Sequence, residues 1–398
     1  MSQTASNIYN NISYALCLNG DAIARLQEQV STGARVNRVS DDPSAAYNIL
    51  TLNSQGKSLQ NYMDNLSDVS DTLQLSSTIV SNITSYLSEV KSRMTQVTSG
   101  TYNQQQREAA ADGINDILEQ IVSLANTKNL NRYIFGGANT ASAPYVIERT
   151  NGEITGVTYQ GSTDARDVEV APGLNTSAFY VGSDIFGSSD RGDPIFMGTT
   201  GAKAGTGTST VRGDTWLTVI YDGTNYKLSI DDGASYVTVP TGGDTNQQVT
   251  DSRTGQVLYV DTTAITGAGV ELVRTPGTYD VFNTLISIRD TLKNKRNLSD
   301  AQLSQLQDSC LSSLDEISNL LVQDSVSVGS KIGFLDDLKN SLTSMKNNAE
   351  DNVSRLQDAD IAQLAIDLAR RQVLYQLSLS VAAKLMSVTL LDFISTSA

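Results

Sequence analysis

Between Leu59 and Val97 apolar residues recur in alternating steps of three and four. The set is Leu59, Tyr62, Leu66, Val69, Leu73, Ser76, Val80, Ile83, Leu87, Val90, Met94 and Val97, and only Ser76 is polar. A stripe of that period is a heptad seam, so the spacing predicts a long rod-like helix ending near Gly100. Residues 104–126 carry a second stripe: Ile114, Ile117, Ile121 and Leu124. Upstream, residues 7–30 place Ile8, Ile12, Ala15, Leu16, Ile23, Leu26 and Val30 on a helical period, with Gly33 where a helix C′ residue is expected. Asp42 followed by Pro43 then reads as an N-cap and first helical position, starting another helix.

The period disappears from about 133 to 280. Short β-branched and aromatic runs alternate there with Gly, Asn and Asp. Asp222-Gly223 and Asp232-Gly233 separate strand-like runs, which predicts consecutive hairpins. The Gly/Ser/Thr-rich strip 186–210 reads as a link between two β subdomains. Helical spacing returns with Val281, Leu285, Ile288 and Leu292. It continues through Leu303, Leu306, Cys310, Leu314, Ile317 and Leu321. A corner is expected at Val-Ser-Val-Gly 326–329. After it Leu335, Leu338, Leu342, Met345, Ala349 and Leu356 restore the spacing as an antiparallel partner for the 59–97 seam.

The last forty residues are apolar on two faces. One row is Ile361, Leu364, Leu368, Tyr375, Leu379, Ala382 and Met386; the other is Ile366, Val373, Leu377, Val381 and Val388. A helix of that kind needs partners on both faces, either in an ordinary core or in an assembly of chains. A membrane span is disfavoured. It would hold Lys384 near mid-membrane at roughly 2.5–3.5 kcal/mol, along with Gln376, Ser378, Ser380, Ser387 and Thr389.

The expected fold class is therefore α+β: a long antiparallel helical bundle or coiled coil formed by both chain ends, with a β-rich insertion in the middle. The expected domains are a terminal helical assembly domain (1–50 and 356–398), a helical rod (51–132 and 279–355), a β-hairpin subdomain (133–190) and an outer β-rich insertion (191–278).

Composition narrows the function. The 398-residue chain carries a net charge of −15, which opposes a nucleic-acid or anionic-membrane binder. It has no histidine, which removes the commonest general base and metal ligand. No nucleophile–base pair, phosphate loop or metal spacing is present, so no catalytic, cofactor or metal residue is assigned and the chain reads as a non-enzyme. An active site hidden in the β insertion is the rival from another class. Cys17 and Cys310 read as small buried apolar residues. Arg191-Gly192-Asp193 matches a cell-adhesion tripeptide at a length that chance readily supplies, and it is the main hint of an adhesin. The start MSQTASNIYNNISYAL lacks the basic, apolar pattern of a secretory signal, so the chain is expected to stay in the cytoplasm or leave by another route.

Two segments carry a resemblance. RVNRVSDDPSAAYNIL (35–50) and LQDADIAQLAIDLARRQVLYQLSLSVAAKL (356–385) resemble the N- and C-terminal signatures of the bacterial flagellin superfamily, each at the proper end. The ending SVTLLDFI, the block NRYIFGGANTASAPY (131–145) and the stretch TYQGSTDARDVEVAPGLNTSAFYVGSDIF (158–186) are similar to the hook–filament junction branch rather than to filament flagellin. The hairpins of 205–275 resemble the IN repeat of flagellins and hook proteins.

The resemblance implies a structural protein of the flagellum that leaves through the flagellar type III apparatus and becomes extracellular. It implies a homo-oligomeric ring layer between a second junction protein, FlgK, and flagellin, with an export chaperone of the FlgN kind in the cytoplasm. Filament flagellin itself is the alternative. The residues expected at the assembly interface are Ile8, Ile12, Leu16, Ile23, Leu26, Arg35, Asn37, Asp41, Asp42, Ile361, Leu364, Leu368, Tyr375, Leu379, Ala382, Met386, Leu390 and Phe393.

Overall fold

The predicted seam is realised along one helix. In a computed structural model, which describes residues 2–99, 102–296, 298 and 300–396, α1 (Ser2–Thr32) is followed by α2 (Pro43–Ser99), 57 residues long. The helix expected to begin at Pro43 and the rod expected from Leu59 are thus one element. Every seam residue from Leu59 to Val97 is buried except Tyr62, which is half-buried. Next, α3 (Gln104–Ala125) opens on a capping box: Asn103 accepts from the Gln106 amide while the Gln106 side chain accepts from that of Asn103. This satisfies two amides that the first turn leaves open.

The middle is β-rich. β1 (Lys128–Asn129) pairs with β2 (Arg132–Tyr133), β3 (Tyr145–Thr150) with β4 (Glu153–Tyr159), and β5 (Arg166–Ala171) with β6 (Leu174–Phe179). A single turn, α4 (Gly182–Ile185), follows. Then come β7 (Ile195–Met197), β8 (Lys203–Ala204), β9 (Gly213–Tyr221), β10 (Tyr226–Ser229), β11 (Val237–Thr238), β12 (Gln247–Thr250), β13 (Val257–Asp261) and β14 (Gly269–Thr275). They form a five-stranded sheet, β11-β10-β9-β14-β7, and a three-stranded sheet, β12-β13-β8. Leu217, Val219, Leu228, Leu258, Val260 and Val273 belong to one buried cluster there.

Both Asp-Gly pairs lie in turns between antiparallel neighbours, as their φ > 0 positions favour. The strip 186–210 is more than a link. Its Ile195–Met197 run adds the edge strand β7 to one sheet and Lys203–Ala204 adds β8 to the other.

Helix resumes at α5 (Val281–Lys293), capped by Asp280, and α6 (Asp300–Gln357). The corner expected at 326–329 is absent; α6 runs straight through it. Val328 is 1% exposed and keeps the stripe Leu321–Val328–Leu335 in phase. That burial outweighs the roughly 1 kcal/mol cost of Gly329 in a helix. Met345, expected on the stripe, is exposed. Cys310 is buried, but Cys17 lies exposed on α1, against expectation. The last element is α7 (Ile361–Thr396).

By internal contacts the chain divides into two units. One comprises residues 1–64 and 338–398, the other 65–337. In the first, Lys346 Nζ donates to Gln60 Oε1 at 2.8 Å and Thr343 lies beside Met63, so α6 runs antiparallel to α2. In the second, Lys91 of α2 pairs with Asp315 of α6.

Candidate assembly interface

In the first unit α1 packs along α7. The turn after α1 is locked to the turn before α7 through main chain. The Arg35 amide donates to the Gln357 carbonyl at 2.6 Å, the Ala359 amide donates to Gly33 at 2.9 Å, and Ala34 bridges Asp358. Gly33 sits at φ +73°, which lets α1 end and the chain reverse there.

The charged turn is used within the chain. Arg35 donates to Asp42 at 3.2 Å and to the Leu356 carbonyl at 3.0 Å. Asp42 accepts from the Ala45 amide at 3.0 Å, capping α2. That amide bond, with Arg35, holds the Asp42 carboxyl below its ordinary range. Asp41 accepts from the amides of Asn37 and Arg38, and the Asn37 side chain donates to the Ala34 carbonyl. These four side chains shape the turn and join it to the end of α6.

The expected interface residues on α1 and α7 separate into two sets. Ile12, Leu16, Ile23 and Leu26 on α1, and Leu364, Leu368, Tyr375 and Ala382 on α7, are half-buried. Their three-and-four spacing defines the seam between the two helices, where Arg371 also donates to Asn19 at 3.3 Å. Ile361 and Leu379 are exposed. The side chains of Ile8, Met386, Leu390 and Phe393 lie outside the described residues.

The second apolar row of α7 faces away from that seam: Ile366, Val373, Leu377 and Val381 are 49–62% exposed. Tyr14 and Leu18 do the same on α1, and Tyr47 and Leu50 on α2. No described side chain of α1 or α7 is fully buried. Rows of large apolar side chains left exposed in this way mark interaction surfaces.

Elsewhere, polar clusters have structural work. Burial pushes the Asp231 carboxyl up, but hydrogen bonds from Ser235, Ser252 and Ser229 outweigh it and hold the group well below its usual range. They tie the 229–235 turn to Ser252. Arg191 donates to the carbonyls of Val211 and Thr210, which gives the adhesion-like tripeptide a local role. Among the described residues no group of three His, Cys, Asp or Glu side chains is arranged to hold a metal ion, and no helix is long and apolar enough to cross a membrane.

Comparison with known proteins bears out the resemblance read from the sequence. The family described as the bacterial flagellin N-terminal helical region matches residues 4–140. The flagellar hook-associated protein 3 of Escherichia coli is 28% identical over 162 residues, 40% of this chain and 49% of that protein. The chain thus matches about half the length of that relative. A flagellin of Listeria monocytogenes is 21% identical over 170 residues, 43% of this chain and 56% of its own length. The crystal structure of the flagellar hook-associated protein-3 of Legionella pneumophila superposes with a TM-score of 0.53 at 15% identity, covering 77% of this chain and 98% of that one. The fold is therefore the helical one with a β-rich middle seen in that structure.

Proposed function

We propose that this chain is a structural subunit of the bacterial flagellum, a hook–filament junction protein of the FlgL kind. It assembles through α1 and α7 and presents a platform to flagellin. The observation that carries the reading is the outward apolar row Ile366, Val373, Leu377 and Val381 on a helix whose other row already packs on α1. Covering these four with Tyr14 and Leu18, which are 49–68% exposed, contributes about 5–10 kcal/mol. A single association costs roughly 4–15 kcal/mol. Burial of that size matches the lower part of the association cost, so the remaining exposed side chains Tyr47 and Leu50 of α2 would have to contribute as well in a ring layer of copies.

In this reading residues 1–50 and 356–398 form the assembly domain, 51–132 with 279–355 the rod, 133–190 a hairpin subdomain and 191–278 an outer module. One end of the layer meets FlgK and the other flagellin. The chain is exported by the flagellar type III apparatus, with a FlgN-like chaperone covering α7 beforehand. The role is mechanical and requires no catalysis.

Leu377→Asp in a strain lacking the native gene tests this. Immunolabel should vanish from the hook tip while the purified variant keeps its melting temperature. Normal filaments on that variant would overturn the proposal. Filament flagellin, the second reading, is separated by seeding: a junction protein stops at a short layer, whereas flagellin elongates.

A further inference from the structure

The buried stripe of α6 is interrupted by charge. Leu314, Ile317, Leu321, Val328 and Leu335 are each 1% exposed or less. The same spacing puts Asp324 and Lys331 between them. Across from these two stand Ser177 of β6, Tyr180 just beyond it and Asp184 of α4. Lys331 is committed to β6. Its ammonium donates to the Ser177 carbonyl at 2.9 Å and hydroxyl at 3.3 Å, and lies 5.5 Å from the centre of the Tyr180 ring. Asp324 is half-buried, and among the described residues its Oδ2 has no such partner. Its Oδ2 is buried and accepts no hydrogen bond. A carboxylate in that position loses the hydration of Oδ2 without a hydrogen bond to replace it, whereas a neutral carboxyl loses less.

We propose that Asp324 is a proton-dependent latch between α6 and the β5–β6/α4 segment. Neutral, it lets that segment seat on the helix; ionised, it works against Asp184 and loosens the seat while Lys331 keeps it tethered. Four titratable or charged groups surround this seat: Tyr180, Asp184, Lys331 and, acting on Lys331, Asp167 of β5. Burial, then Asp184, pushes the Asp324 carboxyl up to about 6. Burial, then Asp324, pushes the Tyr180 hydroxyl up to about 12, so it stays neutral throughout. An acid raised on seating favours the seated form at low pH. That advantage falls as pH rises from the ordinary aspartate value and is gone above about 6. The device is independent of the terminal helices and makes the base of the β region responsive to mild acid.

Hydrogen exchange by mass spectrometry on the full chain tests it, with peptides covering 174–186 and 317–335 at pH 4.5 and 7.0, corrected for intrinsic rates. Opening should rise roughly tenfold between the two. Asp324→Asn should keep the acid-form protection at both. Asp184→Asn should lower the midpoint, because Asp184 is one of the two causes that raise it. An equal rise in Asp324→Asn, or an unmoved midpoint in Asp184→Asn, overturns the latch.

Discussion

Arg274 of β14 and Asp214 of β9 form an ion pair at 3.2 Å with side chains only 11% and 3% exposed. The Tyr279 hydroxyl donates to the same carboxylate at 2.7 Å, and Arg274 also reaches Ser313 on α6. Removing one member of a buried pair leaves the other charge without compensation. Asp214→Ala should therefore destabilise the unit formed by residues 65–337 by about 3–5 kcal/mol. Urea denaturation followed by circular dichroism measures it, and a loss below 1 kcal/mol would show that Tyr279 and Ser313 alone satisfy Arg274.

Leu73 is fully buried on the α2 seam, whereas Leu377 is 56% exposed on α7. Leu73→Ala should cost about 2–5 kcal/mol through lost contacts and the cavity left behind. Leu377→Ala should change stability by less than about 0.5 kcal/mol. Thermal melts of the two variants side by side check the contrast. Equal losses would mean that the outer row of α7 is already covered within one chain.

Glu153 accepts from Lys293 and Lys295, and these bonds lower its carboxyl to about 2, against the opposing effect of burial. A depressed acid stabilises the fold above the ordinary glutamate value, and the contribution is lost as pH falls toward 2. Lys293→Met should raise the Glu153 titration toward its ordinary value and move acid unfolding to higher pH. Carboxyl-resolved NMR titration reads the first effect and circular dichroism the second.

Glu271 shows the opposite sign. It is 2% exposed on β14, where Thr200 donates to it at 2.8 Å. Burial raises its carboxyl despite that bond. Stability supplied by the neutral form is therefore present in acid and declines as pH rises. Glu271→Gln should stabilise the chain at pH 7.5 and have little effect at pH 4. Chemical denaturation at both values decides; a variant weaker at pH 7.5 would assign the carboxylate a favourable partner.

The parts of this fold that are legible in the sequence are those written as a period. The seams of α2 and α6 follow from the spacing of Leu66, Leu73, Ile83 and Leu87, and of Leu314 and Leu321, because helical geometry converts steps of three and four into one face. Gly329 departs from the turn its type suggests for a local reason. Its preference for a turn is weak beside the burial of Val328 one residue earlier. Both rows of α7 were visible, but their assignment was not. Which row meets α1 depends on where Gly33–Arg35 joins Gln357–Ala359, and main-chain pairing leaves no mark in side-chain identity. The charged turn was visible as well. That Arg35 spends its donors on Asp42 and the Leu356 carbonyl is a matter of distance, to which residue type is silent.

The chain between Gly187 and Asp280 leaves and returns at one crossing. The Gly187–Asp280 bridge, the Ser188 amide on the Tyr279 carbonyl and the Gly192 amide on the Pro276 carbonyl at 2.8 Å hold the outgoing and returning chains together. A side chain on Gly277 would collide with the Asp190 carbonyl, so the crossing admits no bulk. Two ends already touching can be spliced directly or joined to a different cargo of any size. Any replacement would still have to meet the helices where Arg274 reaches Ser313 and the Gly277 amide donates to Glu316 at 2.9 Å, so only what lies beyond those contacts is free to vary.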